Sequence, residues 1–408
     1  MGMLSTTTRL RGASAAVSAT SGHPDTRTAA MEIAHTLHDQ GGADCSLLVM
    51  FVSYHHAAAF GEAVDTIRSV VRPQHLLGCT MESVLGDDEE LDGIAGMSAL
   101  ALTIPGMRIT PFAGHPGQPL PLSRPDALPD HLGVEHDTKA ILMLADPFST
   151  PITRLMPALN TLRIDGRPVP ALGGMASGAS QPGHNRLALD DQLHNSGVIG
   201  ATLSGAVDID TLVSQGCRPV GDPLVITDVD ANMLLELGGR QALDVLKHTA
   251  ESVPDDERDL LQRGLLLGTV LDEHKGRFGR GDFLVRSILG VDQNRGGIIV
   301  GEFPRRGQTV QFHIRDAQAA HEDLHLLLDA QQLHANPLAV LLMSCNGRGQ
   351  RLFGKRGHDL SIMRERLNEP PVTGCFAAGE IGPIGAASHL HGHTVVATIF
   401  RESQFETE

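Results

Sequence analysis

The chain has 408 residues, 41% of them hydrophobic and 20% charged, which is typical of a soluble globular protein with room for two or three domains. Its formal net charge of −16 repels phosphate backbones and anionic lipid surfaces. With no Trp and one Tyr, it also lacks the aromatic platforms on which single-stranded nucleic acids stack. No apolar run approaches the roughly 20 residues of a membrane-spanning helix. We therefore expect neither nucleic-acid binding nor membrane insertion.

The five cysteines are scattered, and none belongs to a C-x-x-C motif. They are Cys45, Cys79, Cys217, Cys345 and Cys375. This pattern argues against a disulfide framework and a cysteine zinc site, and it favours a reducing, cytoplasmic location. We also expect no cofactor. Residues 1–25 are rich in Ser, Thr and Ala and have no hydrophobic segment for secretion, so we predict a disordered tail. An organelle transit peptide is the alternative.

One order of elements then occurs three times along the chain. Each copy has an apolar strand, a helix, a second strand that enters a small-residue loop, and a final strand. The predicted elements lie at 45–53, 57–71, 75–86 and 98–104, then at 140–148, 151–162, 168–180 and 197–204, and last at 338–349, 358–367, 370–382 and 393–400. The loops align as GCTMES, GGMASGA and GCFAAGE. Repeated units of this kind pack together because none can bury its apolar face alone. The alternative is that the loops resemble one another only because glycine is common where a strand ends in a turn.

A different pattern separates the second copy from the third. It predicts two strands and a helix in 217–248, two strands in 283–303, a half-buried strand in 309–316 and a helix in 317–331. An acidic stretch at 251–259 marks a boundary, and we divide the chain near residue 248. The predicted fold class is α/β, with two domains of mixed β-sheets flanked by helices and repeated strand–helix–strand units.

Several motifs occur in an order that is similar to a known family. They are GCTMESVLGDDEELDG (78–93), ADPFSTPITRL (145–155), LGGMASGASQPGHNRLALDD (172–191), SQGCRPVGDPLVIT (214–227), FGRGDFLVRSILGVD (278–292), GQTVQFHIRDA (307–317), SCNGRGQRLFG (344–354) and GCFAAGEIGPIG (374–385). The chain resembles the FIST family, the F-box and intracellular signal transduction domain, over about residues 26–401. The resemblance implies a FIST N-terminal domain at 26–248 and a FIST C-terminal domain at 249–401.

The resemblance also implies a sensory module of intracellular signalling that binds a small metabolite such as an amino acid. Family members often carry an F-box, and none is visible in this sequence. We therefore expect the output to pass through a separate signalling partner protein or through self-association into a homo-oligomer.

The loop GCFAAGEIGPIG places a lone carboxylate, Glu380, among small residues. Glycines let a ligand reach main-chain amides, and Glu380 would pair with an ammonium group. Asn346 and the neighbouring amides would hold a carboxylate, with Arg348 near the anionic end. The predicted ligand-binding residues are Asn346, Gly347, Arg348, Gly349, Gly374, Cys375, Gly379, Glu380 and Gly382. In the first two copies, Glu82 and Ser177 fall near the place equivalent to Glu380.

Three other functions stay open. Cys345 ends a strand and, activated by His391, would be the nucleophile of a hydrolase or transferase, although buried thiols more often only pack. His389, His391 and His393 alternate, so on a strand all three would project from one face and hold the zinc or iron ion of a metal-dependent hydrolase or transferase. A chance cluster among 21 histidines is the alternative. The third function is a protein-interaction scaffold without a small ligand.

Overall fold

The computed structural model describes residues 13–87 and 89–403, which form a mixed α/β protein of two domains. The first part of the chain contains β1 (Ala15–Ser21), α1 (Thr26–Asp39), β2 (Leu47–Ser53), α2 (Phe60–Val71), β3 (His75–Met81), β4 (Ser83–Gly86), β5 (Glu89–Leu91) and β6 (Met97–Thr103). The second contains β7 (Met107–Gly114), α3 (Leu128–Leu132), β8 (Thr138–Ala145), α4 (Ile152–Leu159), β9 (Arg163–Ile164), β10 (Arg167–Pro168), β11 (Ala171–Met175), β12 (Leu187–Leu189), β13 (Gln192–His194) and β14 (Val198–Gly205).

The remaining elements follow in two further segments. The inserted segment contains β15 (Val207–Gln215), β16 (Cys217–Asp230), β17 (Met233–Leu237), β18 (Arg240–Gln241), α5 (Ala242–Glu251), β19 (Leu265–Val270), β20 (Phe283–Asp292), β21 (Gly297–Val300), β22 (Thr309–Arg315) and α6 (Ala317–Gln331). The last contains β23 (Ala339–Cys345), α7 (Gly349–Phe353), α8 (His358–Arg366), β24 (Val372–Ala377), β25 (Glu380–Ile384), β26 (Ala387–His391) and β27 (Thr394–Glu402). Short 3-10 helices lie at Tyr54–Ala59, Pro125–Ala127 and Asp255–Arg263. The predicted fold class, including the repeated strand–helix–strand units, is confirmed.

The prediction of a disordered tail over residues 1–25 is wrong for part of that range. Residues 1–12 lie outside the described residues, but Ala15–Ser21 forms β1 and pairs with all of β6 in antiparallel register. Alternate residues of this segment, including Val17 and Ala19, are buried against the first helix pair. The small Ser, Thr and Ala residues that indicated disorder are therefore compatible with an edge strand.

Three six-stranded sheets share one plan, in the orders β1-β6-β2-β3-β12-β13, β7-β14-β8-β11-β25-β26 and β15-β27-β23-β24-β4-β5. Each sheet contains one parallel pair, namely β2–β3, β8–β11 and β23–β24. The last two strands of each sheet are a hairpin from another unit, because β4–β5 joins the third sheet, β12–β13 the first and β25–β26 the second. The three units thus exchange hairpins in a closed cycle.

The three sheets enclose one central hydrophobic core. Leu47, Leu142 and Leu341 are among the residues that meet there, one from each unit. On the outer faces, α1 and α2 cover the first sheet, α3 and α4 the second, and α6 and α8 the third. Because both faces of each parallel pair are buried, these strands read as continuous apolar runs.

Strands β16, β17 and β19 to β22 of the inserted segment form a separate small barrel, whereas β15 is an edge strand of the third sheet. Pairing between β16 and β17 closes the row β16-β22-β19-β20-β21-β17 upon itself. Phe312, Ile226 and Leu267 lie in its core. Arg286 of the barrel donates a hydrogen bond of 2.7 Å to the carbonyl oxygen of Leu390, and this contact fastens the barrel to the third unit. Among the described residues, no helix has both the length and the apolar character needed to cross a bilayer.

Candidate functional site

The carboxyl ends of the three parallel pairs converge on one cavity of about 490 Å³. Its lining residues all lie in the loops that follow these strands, and they are Glu82, Pro147, Phe148, Ala176, Ser177, Gly178, Ala179, Asn346 and Ala378. Open α/β sheets bind ligands beyond the carboxyl ends of their parallel strands, because the loops there are free to vary while the strands hold them in place. We therefore take this cavity, called the central cavity, as the candidate site.

The strand register corrects the expected equivalence of the three loops. Gly78, Gly173 and Gly374 align in the second strand of each unit, and four residues later stand Glu82, Ser177 and Ala378. All three of these later residues line the central cavity. The equivalent of Glu82 and Ser177 is thus Ala378, whereas Glu380 lies two residues further on, at the start of β25.

Hydrogen bonds join the three strand ends around the cavity floor. The Ser177 amide donates to the Thr80 carbonyl oxygen (3.2 Å), and the Ala378 amide donates to that of Met175 (3.1 Å). The first and third units are joined through a side chain, that of Ser177. The Ser177 hydroxyl accepts a 2.7 Å hydrogen bond from the Glu82 amide and donates a 2.5 Å hydrogen bond to the Phe376 carbonyl oxygen. Ser177 therefore contacts all three units at one point.

A bridge of charged groups crosses the rim of the cavity. Arg351 pairs with the carboxylate of Glu82 and donates a 2.8 Å hydrogen bond to the Asn346 carbonyl oxygen. Phe148 also lines the cavity, and 43% of its surface is exposed. The opening therefore has one charged and one aromatic border.

Asn346 is the predicted binding residue that the structure places in the central cavity. Its amide donates to Ala377, and its buried side-chain oxygen Oδ1 has no hydrogen-bond partner within the described chain. The nearby Gly347 and Arg348 amides are also used internally, since they donate to the Cys345 sulfur and carbonyl oxygen respectively. These amides are not available to a ligand carboxylate as the sequence pattern suggested.

Arg348 serves a structural ion pair in place of the predicted anion contact. Only 1% of its surface is exposed, and its Nε and Nη2 atoms donate to both carboxylate oxygens of Asp359 at 2.7 and 2.9 Å. Its guanidinium also lies 5.3 Å from the centre of the Phe353 ring. The Arg348 charge holds the pKa of Asp359 well below its usual range, despite the burial of that carboxyl, so the pair stays ionised.

Glu380 is completely buried behind the cavity wall. One carboxylate oxygen, Oε2, accepts hydrogen bonds from the Thr394 hydroxyl (2.6 Å) and amide (3.3 Å). The other, Oε1, has no partner among the described residues. Burial raises the pKa of Glu380 to about 8, against the lowering effect of Thr394, Arg348 and Arg286. At neutral pH this group is mainly a protonated acid, which suits a packed core better than ammonium binding.

The predicted glycine and cysteine contacts lie in packed positions. Gly374 and Cys375 are internal residues of β24, and the Gly379 carbonyl oxygen accepts the Met175 amide at 2.8 Å. A Cβ atom at Gly382 would lie 2.9 Å from Val396, and one at Gly349 would lie 2.6 Å from Glu90. The structure therefore does not support direct contact between a ligand and these residues, which are Gly349, Gly374, Cys375, Gly379 and Gly382.

The alternative Cys345–His391 nucleophile is not assembled. Burial raises the pKa of the Cys345 thiol to about 12, so little of the reactive thiolate exists at neutral pH. The His391 Nε2 atom instead pairs with the Gly382 carbonyl oxygen at 2.9 Å. Burial lowers the pKa of this histidine to about 3, which leaves it neutral in the core.

The three alternating histidines do not share one strand face. Strand β26 ends at His391, and His393 has a φ angle of 63° in the turn that follows. His393 pairs with the Ser287 hydroxyl of the barrel at 3.2 Å, while the His389 and His391 rings are 6.0 Å apart. Within residues 13–87 and 89–403, no three His, Cys, Asp or Glu side chains are arranged to hold a metal ion as they stand.

Sequence reasoning missed most of the cavity wall, including Pro147, Phe148 and Ala378. The alignment of Gly78, Gly173 and Gly374 would have identified the cavity wall, because the residue four positions after each glycine lines the cavity. The lone charge of Glu380 was a weaker guide, since a carboxylate among small residues is also found in a packed hairpin.

Comparison with known proteins supports the resemblance. The chain matches the FIST N domain over residues 46–240 and the FIST C domain over residues 242–383. It is 37% identical over 385 residues to uncharacterized protein Rv0628c of Mycobacterium tuberculosis (strain ATCC 25618 / H37Rv), covering 92% of this chain and 97% of that protein. It is 35% identical over 383 residues to uncharacterized protein Mb0898c of Mycobacterium bovis, covering 92% and 96%.

A solved structure shows a weaker likeness. The crystal structure of a cyanuric acid hydrolase from A. caulinodans matches with a TM-score of 0.34 and 9% identity, covering 96% of this chain and 100% of that one. A score this low carries no argument about fold or function. FIST domains are associated with sensing in signal transduction. The matches to both domain models and to the mycobacterial proteins show that the chain belongs to the FIST family, with an N domain followed by a C domain.

Proposed function

We propose that this protein is a cytoplasmic sensory module that binds a small, amino-acid-like metabolite in the central cavity and signals through a partner protein. The observation that carries this proposal is the convergence of loops from all three units on a cavity of about 490 Å³. That volume is within the range of small-molecule sites. A ligand there touches every unit and can bias their arrangement by its differential contacts.

Chemical groups at the cavity match the two ends of an α-amino acid. The Asn346 Oδ1 atom is a buried acceptor without a partner in the described chain, and the Glu82 carboxylate lies nearby at the rim. Both would accept hydrogen bonds from a ligand ammonium group. Gly178 and Ala179 also line the cavity, and their main chain is where we place the ligand carboxylate.

The bridge made by Arg351 supplies a means of reporting occupancy. It links Glu82 of the first unit to Asn346 of the third, and both residues line the cavity. A ligand ammonium that binds Glu82 competes directly with this guanidinium. Binding would therefore loosen Arg351 and change the surface of α7, which is where we place the signal to a partner.

A thermal-shift screen against amino acids and common metabolites tests the proposal. A ligand at a hundred times its dissociation constant stabilises a fold by about 2.7 kcal/mol, which is readily detected. We expect a hit whose affinity falls at least tenfold in Asn346→Ala. The matched control is Asn294→Ala, an exposed amide on the barrel hairpin, which should leave affinity unchanged.

Two results would count against this function. If no compound raises the melting temperature, the scaffold interpretation without a small ligand is favoured. If a ligand binds equally well to the wild type and to Asn346→Ala, the sensor has its site elsewhere. Isothermal titration of the same variants separates these outcomes from a change in protein stability.

A further inference from the structure

A second cavity, of about 370 Å³, lies at the edge of the second sheet and shares no lining residue with the central cavity. It lies where β7 ends at Gly114 and the paired strand β14 begins at Val198. The turn after β7 and the start of α4 complete its wall. We call it the outer cavity, and the proposed sensor does not use it.

One part of the outer cavity wall is apolar. Leu120, Leu122, Leu155 and Val198 line it together with three prolines. Leu155 and Val198 are buried members of the hydrophobic cluster of the second unit, and the other two leucines pack against that cluster. Covering this wall with an apolar group of a ligand removes apolar surface of both from water, which is favourable. An occupant should therefore have an apolar body.

The charges of the wall favour an anion. Among the described residues, Arg154 is the one permanently charged side chain that lines the outer cavity, and no acid does so. Its exposed guanidinium forms no ion pair or hydrogen bond with a described residue. The nearby Asp146 does not line the cavity, and its carboxylate accepts hydrogen bonds from the Ser149 hydroxyl (2.5 Å) and the Asn185 side-chain amide (2.9 Å). The cavity is thus locally positive in a chain of net charge −16.

His115 adds a hydrogen-bond donor to the same wall. The Gly117 amide donates to His115 Nδ1 at 3.2 Å, so the neutral ring carries its proton on Nε2. That Nε2 atom has no hydrogen-bond partner among the described residues. Main-chain hydrogen bonds of 3.1 and 2.9 Å between His115 and Gln118 close the turn and hold the ring in place. One guanidinium and one N–H group suit a carboxylate, whereas a phosphate has more charge and more oxygens to satisfy.

One loop lines both cavities. Pro147 and Phe148 line the central cavity, and the next residues, 149–151, line the outer cavity. The Ser149 hydroxyl accepts a 2.7 Å hydrogen bond from the Gly197 amide, which ties the loop to the strand that follows. A ligand that displaces Ser149 also moves its neighbour Phe148, because coupling travels through directly bonded and packed groups.

We propose that the outer cavity binds a small monocarboxylate with an apolar body, and that the loop 146–151 transmits its occupancy to the wall of the central cavity. The ligand carboxylate pairs with Arg154 and accepts a hydrogen bond from His115 Nε2. The apolar body lies against Leu120 and Leu155. Binding in the outer cavity is independent of the proposed function, and only a regulatory effect on the sensor rests on it.

Ligand-observed NMR titration of the full chain with phenylacetate tests the binding, and the uncharged phenylacetamide is the paired probe. We expect phenylacetate to bind with a dissociation constant of about 1 mM or tighter, and phenylacetamide to bind at least tenfold more weakly. Arg154→Met keeps an unbranched apolar side chain and should weaken phenylacetate binding at least tenfold. Arg27→Met is the control, because Arg27 is an exposed arginine on α1 without a described partner, and it should keep wild-type affinity.

A tryptophan reporter tests the transmission. The chain has no tryptophan, so Phe148→Trp places a single one at the central cavity. We expect phenylacetate to shift the emission of this tryptophan with a midpoint at the dissociation constant. Adding Arg154→Met to the same chain should remove the shift at the same concentration. Binding without a change in emission would contradict the transmission.

Three results would overturn the site. Equal phenylacetate affinity in the wild type and in Arg154→Met would remove the proposed anion contact. Binding that is lost in Asn346→Ala and kept in Arg154→Met would place phenylacetate in the central cavity. Absence of binding to the wild type at millimolar concentration would refute the outer site altogether. Phenylacetate is titrated without a ligand of the central cavity, so these results are separate from those of the metabolite screen. Circular dichroism of each variant checks that the fold is kept.

Discussion

Ser177 and Glu380 are polar groups that the fold buries among apolar strands, and their hydrogen bonds differ in completeness. The Ser177 hydroxyl accepts a hydrogen bond from the Glu82 amide and donates one to the Phe376 carbonyl oxygen. Glu380 has one oxygen bonded to Thr394 and one without a partner in the described chain. A buried group with complete hydrogen bonding stabilises the fold, whereas an incompletely bonded one carries a desolvation cost.

Replacing Ser177 by Ala tests the link at the cavity floor. We expect a loss of roughly 1–3 kcal/mol in the free energy of unfolding, because the Glu82 amide and the Phe376 carbonyl would both lose a partner. Urea denaturation measures the change. Ser180→Ala, at an exposed position three residues along the loop, is the control and should stay within about 0.5 kcal/mol of wild type. An equal effect of both substitutions would argue against the link.

Glu380 should make stability depend on pH. Its pKa is about 8 in the folded chain, above the ordinary value of 4.5, so the folded state binds an extra proton between these values. The stability associated with the protonated group is therefore fully present below pH 4.5 and is lost as the pH rises through about 8. Glu380→Gln, which cannot ionise, should lack this decline.

The measurement for Glu380 is the difference in unfolding free energy between wild type and Glu380→Gln from pH 5 to pH 9. We expect the wild type to lose on the order of a few kcal/mol relative to the variant. Buried Glu90, whose pKa burial raises to about 7, contributes equally to both proteins and cancels in the difference. Parallel pH profiles would mean that Glu380 is ionised throughout. Glu89→Gln, at an exposed site, provides the control.

At the scale of elements, the parallel strand pairs depend on a glycine in the second strand. A Cβ atom at Gly374 would lie 2.0 Å from the Leu342 carbonyl oxygen, and one at Gly173 would lie 1.8 Å from that of Met143. These distances are below van der Waals contact with the main chain of the neighbouring strand. Glycine therefore recurs at this place because it lets two strands and their loops approach closely.

Gly374→Ala should separate β24 from β23 or bend one of them. We expect a loss of about 1–3 kcal/mol or more in unfolding free energy, since a clash with main chain is not relieved by a side-chain rotation. Gly276→Ala is the control, because a Cβ atom there meets nothing within 4 Å. Thermal denaturation of both proteins checks this, and a Gly374→Ala protein as stable as the control would refute the clash.

At the scale of the whole molecule, the closed exchange of hairpins makes the two family domains depend on each other. Strand β24 of the C domain pairs with β4 of the N domain, and β25 pairs with β11. Strand β27 also pairs with β15 along its whole length. The boundary predicted near residue 248 stays a prediction, but a cut anywhere near it divides sheets.

Fragments 1–241 and 242–408 should therefore not fold cooperatively when produced separately. The C-terminal fragment would expose β24 and β27 edges that the N domain covers in the intact chain, and such edges favour aggregation. Mixing the two fragments should restore a single cooperative unfolding transition, followed by circular dichroism in urea. A cooperative transition in either fragment alone would show that the exchanged hairpins are dispensable.

Apolar periodicity and turn chemistry act over a few residues, so the local pattern predicted the central strands and the main helix of each of the three units, but it missed Thr26–Asp39, Met107–Gly114 and Leu265–Val270. The local pattern also revealed the resemblance to the FIST family, because each of the family's motifs is a continuous stretch of residues. The sequence did not reveal that Ala15–Ser21 is a strand, that Glu380 is buried or that Arg348 is paired with Asp359. Each of these depends on a partner distant in sequence. Only the tertiary structure decided which loops meet at the central cavity, because the exchange of hairpins brings together residues as far apart as Glu82 and Asn346.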